Sequence, residues 1–182
     1  MSTTLSTERL TLRPPAASDL DRLVDGIGNY AVAKFLTPVP HPYHRADAAA
    51  WLAAVADNPR EDIFAIDLGS ERFIGCISYG TELGFWIAEP FWGRGLMTEA
   101  ARAVIEWKFE DAGVSLIDSG AHIDNPASMR VQEKLGFATT GRRTVFAQAR
   151  QAEIDRFDTV LDRDDFAEAC AALDAVAEGG VR

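Results

Sequence analysis

The sequence predicts a single α/β domain spanning residues 1–182, built on a central mixed, mostly antiparallel sheet of about seven strands with flanking helices. Three observations predict this fold class. At 182 residues and 47% hydrophobic side chains, the chain is long enough for one sizeable core without disulfides or metals. Apolar residues recur at strand spacing in some segments and at helical spacing in others. Three consecutive strand patterns lead into a Gly-x-Gly turn that opens a helix.

The N-terminal third predicts one strand and three helices. Glu8–Arg13 alternates polar and apolar residues before Pro14-Pro15, a pattern typical of an edge strand followed by a turn. Ser18 is the predicted N-cap of a helix over Leu20–Ile27, where apolar residues repeat at helical spacing. Two more helices are predicted, over Tyr30–Leu36 and over Ala46–Ala56, with Asn58-Pro59 ending the second.

The segment Thr37–Arg45, between the last two of these helices, is too rich in proline for regular structure. It is also unusually aromatic for a linker. We expect it to form a rim over a pocket, with a role for three of its side chains in binding a substrate: His41, Tyr43 and His44. The alternative for each of them is a surface position with no role.

The centre of the chain predicts a three-stranded meander that leads into a helix. Its strands are Ile63–Leu68, Arg72–Tyr79 and Leu83–Ala88, with Gly69-Ser70 as the hairpin turn between the first two. A helix follows from Met97 to about Ala112, and Gly113 ends it. The apolar stripe of this helix predicts that it packs on the sheet.

The C-terminal third predicts three more strands and two helices. The strands cover Ser115–Ile123, Phe137–Phe146 and Glu153–Leu161. Between the first two, Asn125 is the predicted N-cap of a helix, Pro126 its first residue and Gly136 its stop. The last helix is predicted from Arg163 or Asp164 to about Ala177.

The composition disfavours several classes of function. A formal net charge of -10 disfavours nucleic acid as a partner, since phosphate binding needs clustered Lys and Arg. The same charge attracts a cationic or amine-bearing substrate, or simply serves solubility. No apolar run approaches the ~18 residues of a membrane span, and the N-terminus has no signal-peptide pattern, so we expect a cytoplasmic protein without a membrane partner. Cys76 and Cys170 have no metal-ligand spacing, so we expect reduced thiols and no metal.

The turn Trp92-Gly93-Arg94-Gly95-Leu96-Met97, between the third meander strand and its helix, is the main functional candidate. Glycines let the backbone take positive φ and approach a ligand, and the N–H groups of a helix start bind phosphate. The turn is not a P-loop, because no Lys-Ser or Lys-Thr follows it. A dinucleotide-binding fold is also disfavoured, because Thr98 replaces its third glycine and the turn lies in mid-chain.

Two segments together carry a family resemblance. Residues 90–100, Pro-Phe-Trp-Gly-Arg-Gly-Leu-Met-Thr-Glu-Ala, resemble motif A of the GNAT acetyltransferases. They are most similar to the RimJ/RimL-like branch, the ribosomal-protein N-acetyltransferases, where Trp-Gly-Lys/Arg-Gly leads into Thr-Glu-Ala. Asn125–Phe137 is similar to the Asn-x-x-Ser and Glu-Lys-x-Gly-Phe of the same branch. With both motifs in this order, the resemblance spans nearly the whole chain.

The resemblance implies a GNAT fold, in which the strand before motif A and the next strand splay apart in the middle of the sheet. It also implies acetyl-CoA as the cosubstrate, with no metal. The pyrophosphate would bind the turn and helix start, formed by Trp92, Gly93, Arg94, Gly95, Leu96, Met97 and Thr98. The pantetheine arm would lie along Phe85, Trp86 and Ile87, beside Asn125 and Ser128. Motif A ends in a small residue where this chain has Met97, so the Met97 side chain must point away from the phosphates.

The resemblance further implies direct acetyl transfer to an amine, with N–H groups of the splayed strand as the oxyanion hole. Glu82, which opens that strand, is the first candidate for the base that deprotonates the amine. The alternatives are Glu89, His122 and Asp124. Many GNAT enzymes protonate the thiolate with a Tyr, at the position that Gln132 occupies here. Gln cannot supply a proton, so Ser128 is expected to donate a hydrogen bond to the coenzyme sulfur.

The predicted function is therefore acetyl-CoA-dependent N-acetylation of a primary amine, on a small molecule or a protein N-terminus. The competing hypothesis is a catalytically inactive, acyl-CoA-binding or sensing module, and the loss of the Tyr at Gln132 favours it. The pattern is compatible with a homodimer formed through an edge strand or a helix.

Overall fold

In the computed structural model, which describes residues 3–57, 62–110 and 113–179, six α-helices pack around one eight-stranded sheet. The strands are β1 (Leu5–Ser6), β2 (Leu10–Arg13), β3 (Asp62–Leu68), β4 (Glu71–Tyr79), β5 (Leu83–Ile87), β6 (Leu116–His122), β7 (Ala138–Ala147) and β8 (Ala152–Asp162). The helices are α1 (Leu20–Ile27), α2 (Tyr30–Ala33), α3 (Arg45–Asp57), α4 (Leu96–Glu110), α5 (Pro126–Lys134) and α6 (Arg163–Gly179).

The sheet is mixed and mostly antiparallel. The first five strands form an antiparallel meander in chain order. β5 then runs parallel to β6, and the sheet continues through β8 to β7 with antiparallel pairs. The predicted fold class is confirmed, with eight strands rather than about seven. The additional strand, β1, has two residues and is too short to produce an alternating pattern.

The two faces of the sheet are covered by different helices. The apolar stripe of α4 is buried in the larger core cluster, with residues from β2 to β6 and from α6. α1 and α3 cover the other side, where Leu23, Phe73 and Cys76 belong to a second cluster. We refer to these two surfaces as the α4 face and the α1 face. A ligand can reach the central strands from either of these two faces.

The predicted caps of α5 are confirmed. The Asn125 side chain accepts a hydrogen bond from the Ser128 N–H, and Pro126 is the first helical residue. Gly136, with φ of 92°, follows the end of the helix. A Cβ at Gly136 would lie 2.7 Å from the Asp165 carbonyl oxygen, so both the conformation and the space require glycine.

The predicted N-cap of α1 is wrong. Ser18 lies inside a 3-10 turn, and Asp19 is the residue that precedes the helix. Tertiary contacts fix the position of Asp19. Its carboxylate accepts hydrogen bonds from the Arg13 guanidinium at 2.7 and 2.8 Å and from the Ala16 N–H at 2.8 Å. Burial opposes ionisation of Asp19, but these hydrogen bonds and the charge of Arg13 outweigh it and lower the pKa of the carboxyl.

The remaining boundaries lie close to those predicted. α2 stops at Ala33, three residues before the predicted Leu36, and α4 begins one residue before the predicted Met97. The predicted helix break at Asn58-Pro59 and helix end at Ala112 lie outside the described residues. Among the helices that the structure describes, none combines the length and the apolarity needed to cross a membrane.

Candidate active site

β5 and β6 are parallel neighbours that pair at a single point. Leu83 lies opposite Ser119, and the Ser119 hydroxyl donates a 2.8 Å hydrogen bond to the Leu83 carbonyl. Both strands are described in full, and no other pair of their residues is in register. The gap between them is therefore closed at Leu83 and open toward Ile87, as the splay implied by the family resemblance requires.

The backbone of β5 directs alternate residues into this gap. The Ala88 N–H donates to the Ile74 carbonyl on β4, so the even-numbered residues of β5 pair with β4 and the odd-numbered ones face β6. Among the odd-numbered residues, Ile87 has its carbonyl bound by the Trp92 indole N–H at 2.7 Å. The N–H groups of Phe85 and Ile87 face the gap and can bind an extended ligand in the manner of an added strand.

The turn after β5 presents its backbone to solvent. Gly93 and Gly95 have φ of 72° and 74°, a conformation that favours glycine. Trp92, Gly93, Arg94 and Gly95 are exposed, and α4 begins at the next residue. The first N–H groups of a helix have no partner within the helix, and the helix dipole adds positive potential there. The arrangement fits a diphosphate.

Arg9, which directly precedes β2, holds this turn through side-chain hydrogen bonds. Its guanidinium donates to the Arg94 carbonyl at 3.0 Å and to the Glu99 carboxylate at 2.6 Å. A cavity of about 460 Å³ lies beside the turn, and its lining includes three cationic side chains, Arg9, Arg102 and Lys134, and two carboxylates, Glu8 and Glu99. Arg9 was missed in the sequence because nothing in its local pattern indicates a contact 85 residues away.

The first residues of α4 turn their side chains away from the proposed ligand. Leu96 and Met97 are 1% and 7% exposed and belong to the larger core cluster. The Met97 side chain is packed in the core, which is consistent with the prediction that it points away from the phosphates. Thr98 is half-buried and lines the cavity. The helix start is therefore anchored by apolar packing while its N–H groups are left for a ligand.

Gln132 organises the α5 side of the gap. It is 1% exposed, its amide oxygen accepts from Thr159 at 2.6 Å, and its amide nitrogen donates to the Gly120 carbonyl and the Ser128 hydroxyl, both at 3.3 Å. Because Ser128 Oγ accepts from Gln132, its own O–H is free to donate. The residue that replaces the family's Tyr thus orients Ser128, whereas Asn125 caps the helix.

Glu82 forms an ion pair at the closed end of the gap. Both of its oxygens accept from Arg156, at 2.9 and 2.8 Å. The Arg156 hydrogen bonds lower the pKa of Glu82 despite partial burial, and the charges of Arg156 and Arg143 act in the same direction. A carboxylate held in this way is a weak base, because its charged form is stabilised and its lone pairs are engaged.

His122, at the open end of β6, differs from Glu82 because, within the described part of the chain, it has no ion pair that stabilises its charged form. It is 2% exposed, and its Nε2 lies 2.9 Å from Thr37 Oγ1. Its Nδ1 is buried and makes no hydrogen bond to the residues that the structure describes. Burial, and then the positive charge of Arg150, lower the pKa of His122, although the charge of Asp124 and a contact with the Lys34 backbone act in the opposite direction. The imidazole is therefore neutral near pH 7 and can accept a proton.

The other two carboxylates considered as bases are engaged elsewhere. Asp124 forms a bidentate pair with Arg150 at 2.7 and 3.2 Å, and the Arg150 hydrogen bonds lower the pKa of Asp124. Glu89 accepts a 2.5 Å hydrogen bond from the Asn29 amide. Trp86, expected beside the cofactor, has its indole in the second core cluster against Phe73.

The proline-rich rim is fixed to the strand ends near His122. Besides the Thr37 contact, the Gln148 N–H donates to the Thr37 carbonyl at 3.0 Å. Of its three expected substrate contacts, His41 is exposed and lies 5.0 Å from the Tyr30 ring. Tyr43 is half-buried against the second core cluster, and His44 is exposed at the start of α3. The structure does not bring these three side chains together around one cavity.

Comparison with known proteins gives one family and several relatives. The family described as "Acetyltransferase (GNAT) domain" matches residues 9–138. Bacillus subtilis YdaF, provisionally named a ribosomal N-acetyltransferase, is 36% identical over 61 residues, about a third of each chain (34% and 33%). An uncharacterised N-acetyltransferase of Bacillus licheniformis, p20, is 24% identical over 163 residues, 84% of this chain and 92% of p20.

Solved structures show the same fold. A spermidine N-acetyltransferase from Vibrio cholerae, solved with CoA and spermine, superposes with a TM-score of 0.75 at 17% sequence identity. The superposition covers 88% of this chain and 99% of that one. At this identity the likeness concerns the fold alone.

Substitution of Gly95 tests the turn. Gly95→Val adds a β-branched side chain where φ is 74°, so we expect the Kd for coenzyme A to rise about a hundredfold. Gly69→Val is the matched control, because Gly69 has φ of 58° with open space around it in a distant hairpin. It should carry similar backbone strain and change the Kd by less than about twofold. Isothermal titration with coenzyme A measures both, and equal affinities for the two variants would contradict the assignment.

Proposed function

The chain belongs to the acetyltransferase (GNAT) family, and we propose that it is an acetyl-CoA-dependent N-acetyltransferase that acetylates a primary amine by direct attack. One observation carries the proposal. The unpaired stretch of β5 leads directly into an exposed Gly-x-Gly turn at the start of α4. A single ligand with an extended amide-bearing arm and a diphosphate matches that continuous set of N–H donors.

Each part of the site has a proposed task in binding. The turn and the first N–H groups of α4 bind the diphosphate, and Arg9 holds the turn in place through the Arg94 carbonyl. Phe85 and Ile87 hydrogen-bond the pantetheine arm through their backbone. Lys134, in the adjacent cavity, adds positive charge for the remaining phosphate of the coenzyme, whereas Arg102 in the same cavity is already paired with Asp174.

The reaction joins the amine nitrogen to the acetyl carbon and breaks the bond between that carbon and sulfur. The N–H groups in the gap are placed to stabilise the charge that develops on the carbonyl oxygen. Ser128, with its hydroxyl hydrogen left free by the Gln132 contact, donates to the departing sulfur. A thiol titrates near ~8.5, so a hydrogen-bond donor suffices for this leaving group.

His122 is the proposed proton acceptor in place of Glu82. An alkylammonium titrates near ~10.4 and a protein N-terminus near ~8, so the amine must lose a proton before it attacks. His122 shares the α1 face with Gly120 and Glu82, since it lies two residues after Gly120 on β6. We assign the tautomer in which Nε2–H donates to Thr37 Oγ1, which leaves the lone pair on Nδ1 to accept the proton. Glu82 remains on this face as an ion-paired carboxylate.

A cationic amine is the proposed acceptor. The formal net charge of -10 raises the local concentration of cations by electrostatic steering. Spermidine, the acceptor in the name of one similar protein, belongs to this class, and another similar protein is named for the ribosome. We propose the same class for this chain, as a protein N-terminus or as a small polyamine.

An acceptor panel tests the proposed function. The protein is mixed with acetyl-CoA and, separately, spermidine, N-terminal peptides of basic proteins and an aminoglycoside, and released thiol and acetylated amine are measured. At least one amine should be acetylated, and the same compound with all of its primary amines already acetylated should release no thiol. The Gly95→Val variant is the control for catalysis at this site. If the protein binds acetyl-CoA but acetylates none of the amines, the proposal fails in favour of a non-catalytic acyl-CoA-binding module.

The two candidate bases differ in their expected pH profiles. We expect His122→Asn to lower kcat by roughly 10²–10⁴-fold with little change in coenzyme A affinity. In the wild type, kcat/KM should fall as the pH decreases through a pKa below ~6.5, because the lowered pKa of His122 keeps the imidazole neutral above it. Glu82→Gln keeps the side-chain size and should lose less activity. A larger loss in Glu82→Gln than in His122→Asn would return the role of base to Glu82.

A further inference from the structure

Four alternating charges form a closed ring at the shut end of the gap. We call this set the charge ring: Glu82, Arg156, Asp158 and Arg143. Arg156 donates to both Glu82 oxygens, and its Nε lies 3.1 Å from Asp158 Oδ1. Arg143 lies 3.1 Å from the same Asp158 oxygen and 3.6 Å from Glu82. The ring has no net charge and connects β5, β7 and β8.

Arg156 reaches Glu82 by crossing the neighbouring strand. It lies on β8 and Glu82 immediately precedes β5, with β6 between those two strands. The crossing runs over Gly120 of β6, where an added Cβ would lie 2.1 Å from Arg156 Nη2, 2.7 Å from its Cζ and 2.5 Å from the Phe157 carbonyl oxygen. Glycine at this position therefore leaves room for both the crossing and the backbone of β8. Only 9% of the Arg156 side chain is exposed, so its charge is held largely away from water.

This contact supplements the single backbone pairing of the gap. β5 and β6 are joined by Leu83 and Ser119, and one pairing leaves the angle between two strands weakly fixed. Arg156 adds a connection from β8 to the residue directly before Leu83. A planar guanidinium that binds a carboxylate through two parallel hydrogen bonds restrains direction as well as distance.

We infer that Arg156 is a positioning residue that acts through Glu82 to set the width of the gap between β5 and β6. The inference rests on the proposed function, because the gap matters only if it receives the pantetheine arm. Arg156 would not touch the cosubstrate. Its loss would alter the placement of the Phe85 and Ile87 N–H groups relative to β6 and leave the Gly-x-Gly turn unchanged.

Two probes separate the arm from the nucleotide. Coenzyme A engages both the turn and the gap, whereas 3′-phosphoadenosine 5′-diphosphate has the same nucleotide end without the pantetheine arm. Arg156→Gln and Gly120→Ala should each raise the Kd for coenzyme A by about tenfold and change that for the nucleotide by less than about twofold. Arg156→Lys keeps the charge without the planar fork and should fall between wild type and Arg156→Gln. Isothermal titration measures both ligands.

Matched controls account for general effects of the substitutions. Arg142→Gln removes an exposed ion pair with Asp155 on the same two strands, and Gly141→Ala adds a methyl group into open space on β7. Neither control should change the affinity for either ligand. Glu82→Gln, which leaves Arg156 in place, should reproduce the arm-specific loss, and it serves if removal of Arg156 prevents folding.

The result that overturns the inference is equal weakening of both ligands, or no weakening of either, in Arg156→Gln, Gly120→Ala and Glu82→Gln. Equal affinity of the wild type for coenzyme A and for the nucleotide would also overturn it, because the arm would then contribute nothing to binding. Failure of the wild type to bind either ligand would instead remove the proposed cosubstrate site itself. The failures are distinguishable by the nucleotide, because only loss of the cosubstrate site itself abolishes nucleotide binding by the wild type.

Discussion

The missing pairing between β5 and β6 is the constraint on which the rest of the site depends. In an ordinary sheet a neighbouring strand satisfies the N–H and C=O groups of both partners, and buried groups without partners are rare. Here the two strands pair once, at Leu83 and Ser119, and the fold satisfies only some of the groups beyond that point. The Trp92 indole N–H donates a hydrogen bond to the Ile87 carbonyl. The N–H donors along the gap are then left for an extended ligand.

The two faces of the sheet have different proposed roles, with phosphate binding on the α4 face and proton transfer on the α1 face. On the α4 face, apolar packing of Leu96 and Met97 fixes the helix start so that its N–H groups stay available for phosphate. On the α1 face, Gly120 makes room for Arg156, and Arg156 neutralises Glu82. We therefore propose the proton-accepting role for His122, whose burial favours its neutral form. Both faces border the gap, where we propose that the amine and the acetyl group meet.

Local signals in the sequence were sufficient for the scaffold and the turn. Asn125, Pro126 and Gly136 act within one helix, and the Gly-x-Gly turn needs only its own backbone, so their roles follow from nearest neighbours. Arg156 was not predictable, because its role comes from a carboxylate 74 residues away. Asp19 displaced Ser18 as the cap of α1 for the same reason, since Arg13 on another element determines its position. The role of a charged residue depends on partners that are distant in sequence, whereas the role of a glycine or a helix cap depends on the local backbone geometry.

The most direct test of this account is amide hydrogen exchange at single residues, followed by NMR with and without coenzyme A. If the pantetheine arm occupies the gap, exchange at the Phe85 and Ile87 amides slows on addition of coenzyme A, because these N–H groups gain acceptors. Exchange at Gly84 and Trp86, which already pair with β4, changes little. Addition of 3′-phosphoadenosine 5′-diphosphate should leave all four amides unchanged. Unaltered exchange at Phe85 and Ile87 with saturating coenzyme A would contradict the central claim that the unpaired strand is the cosubstrate site.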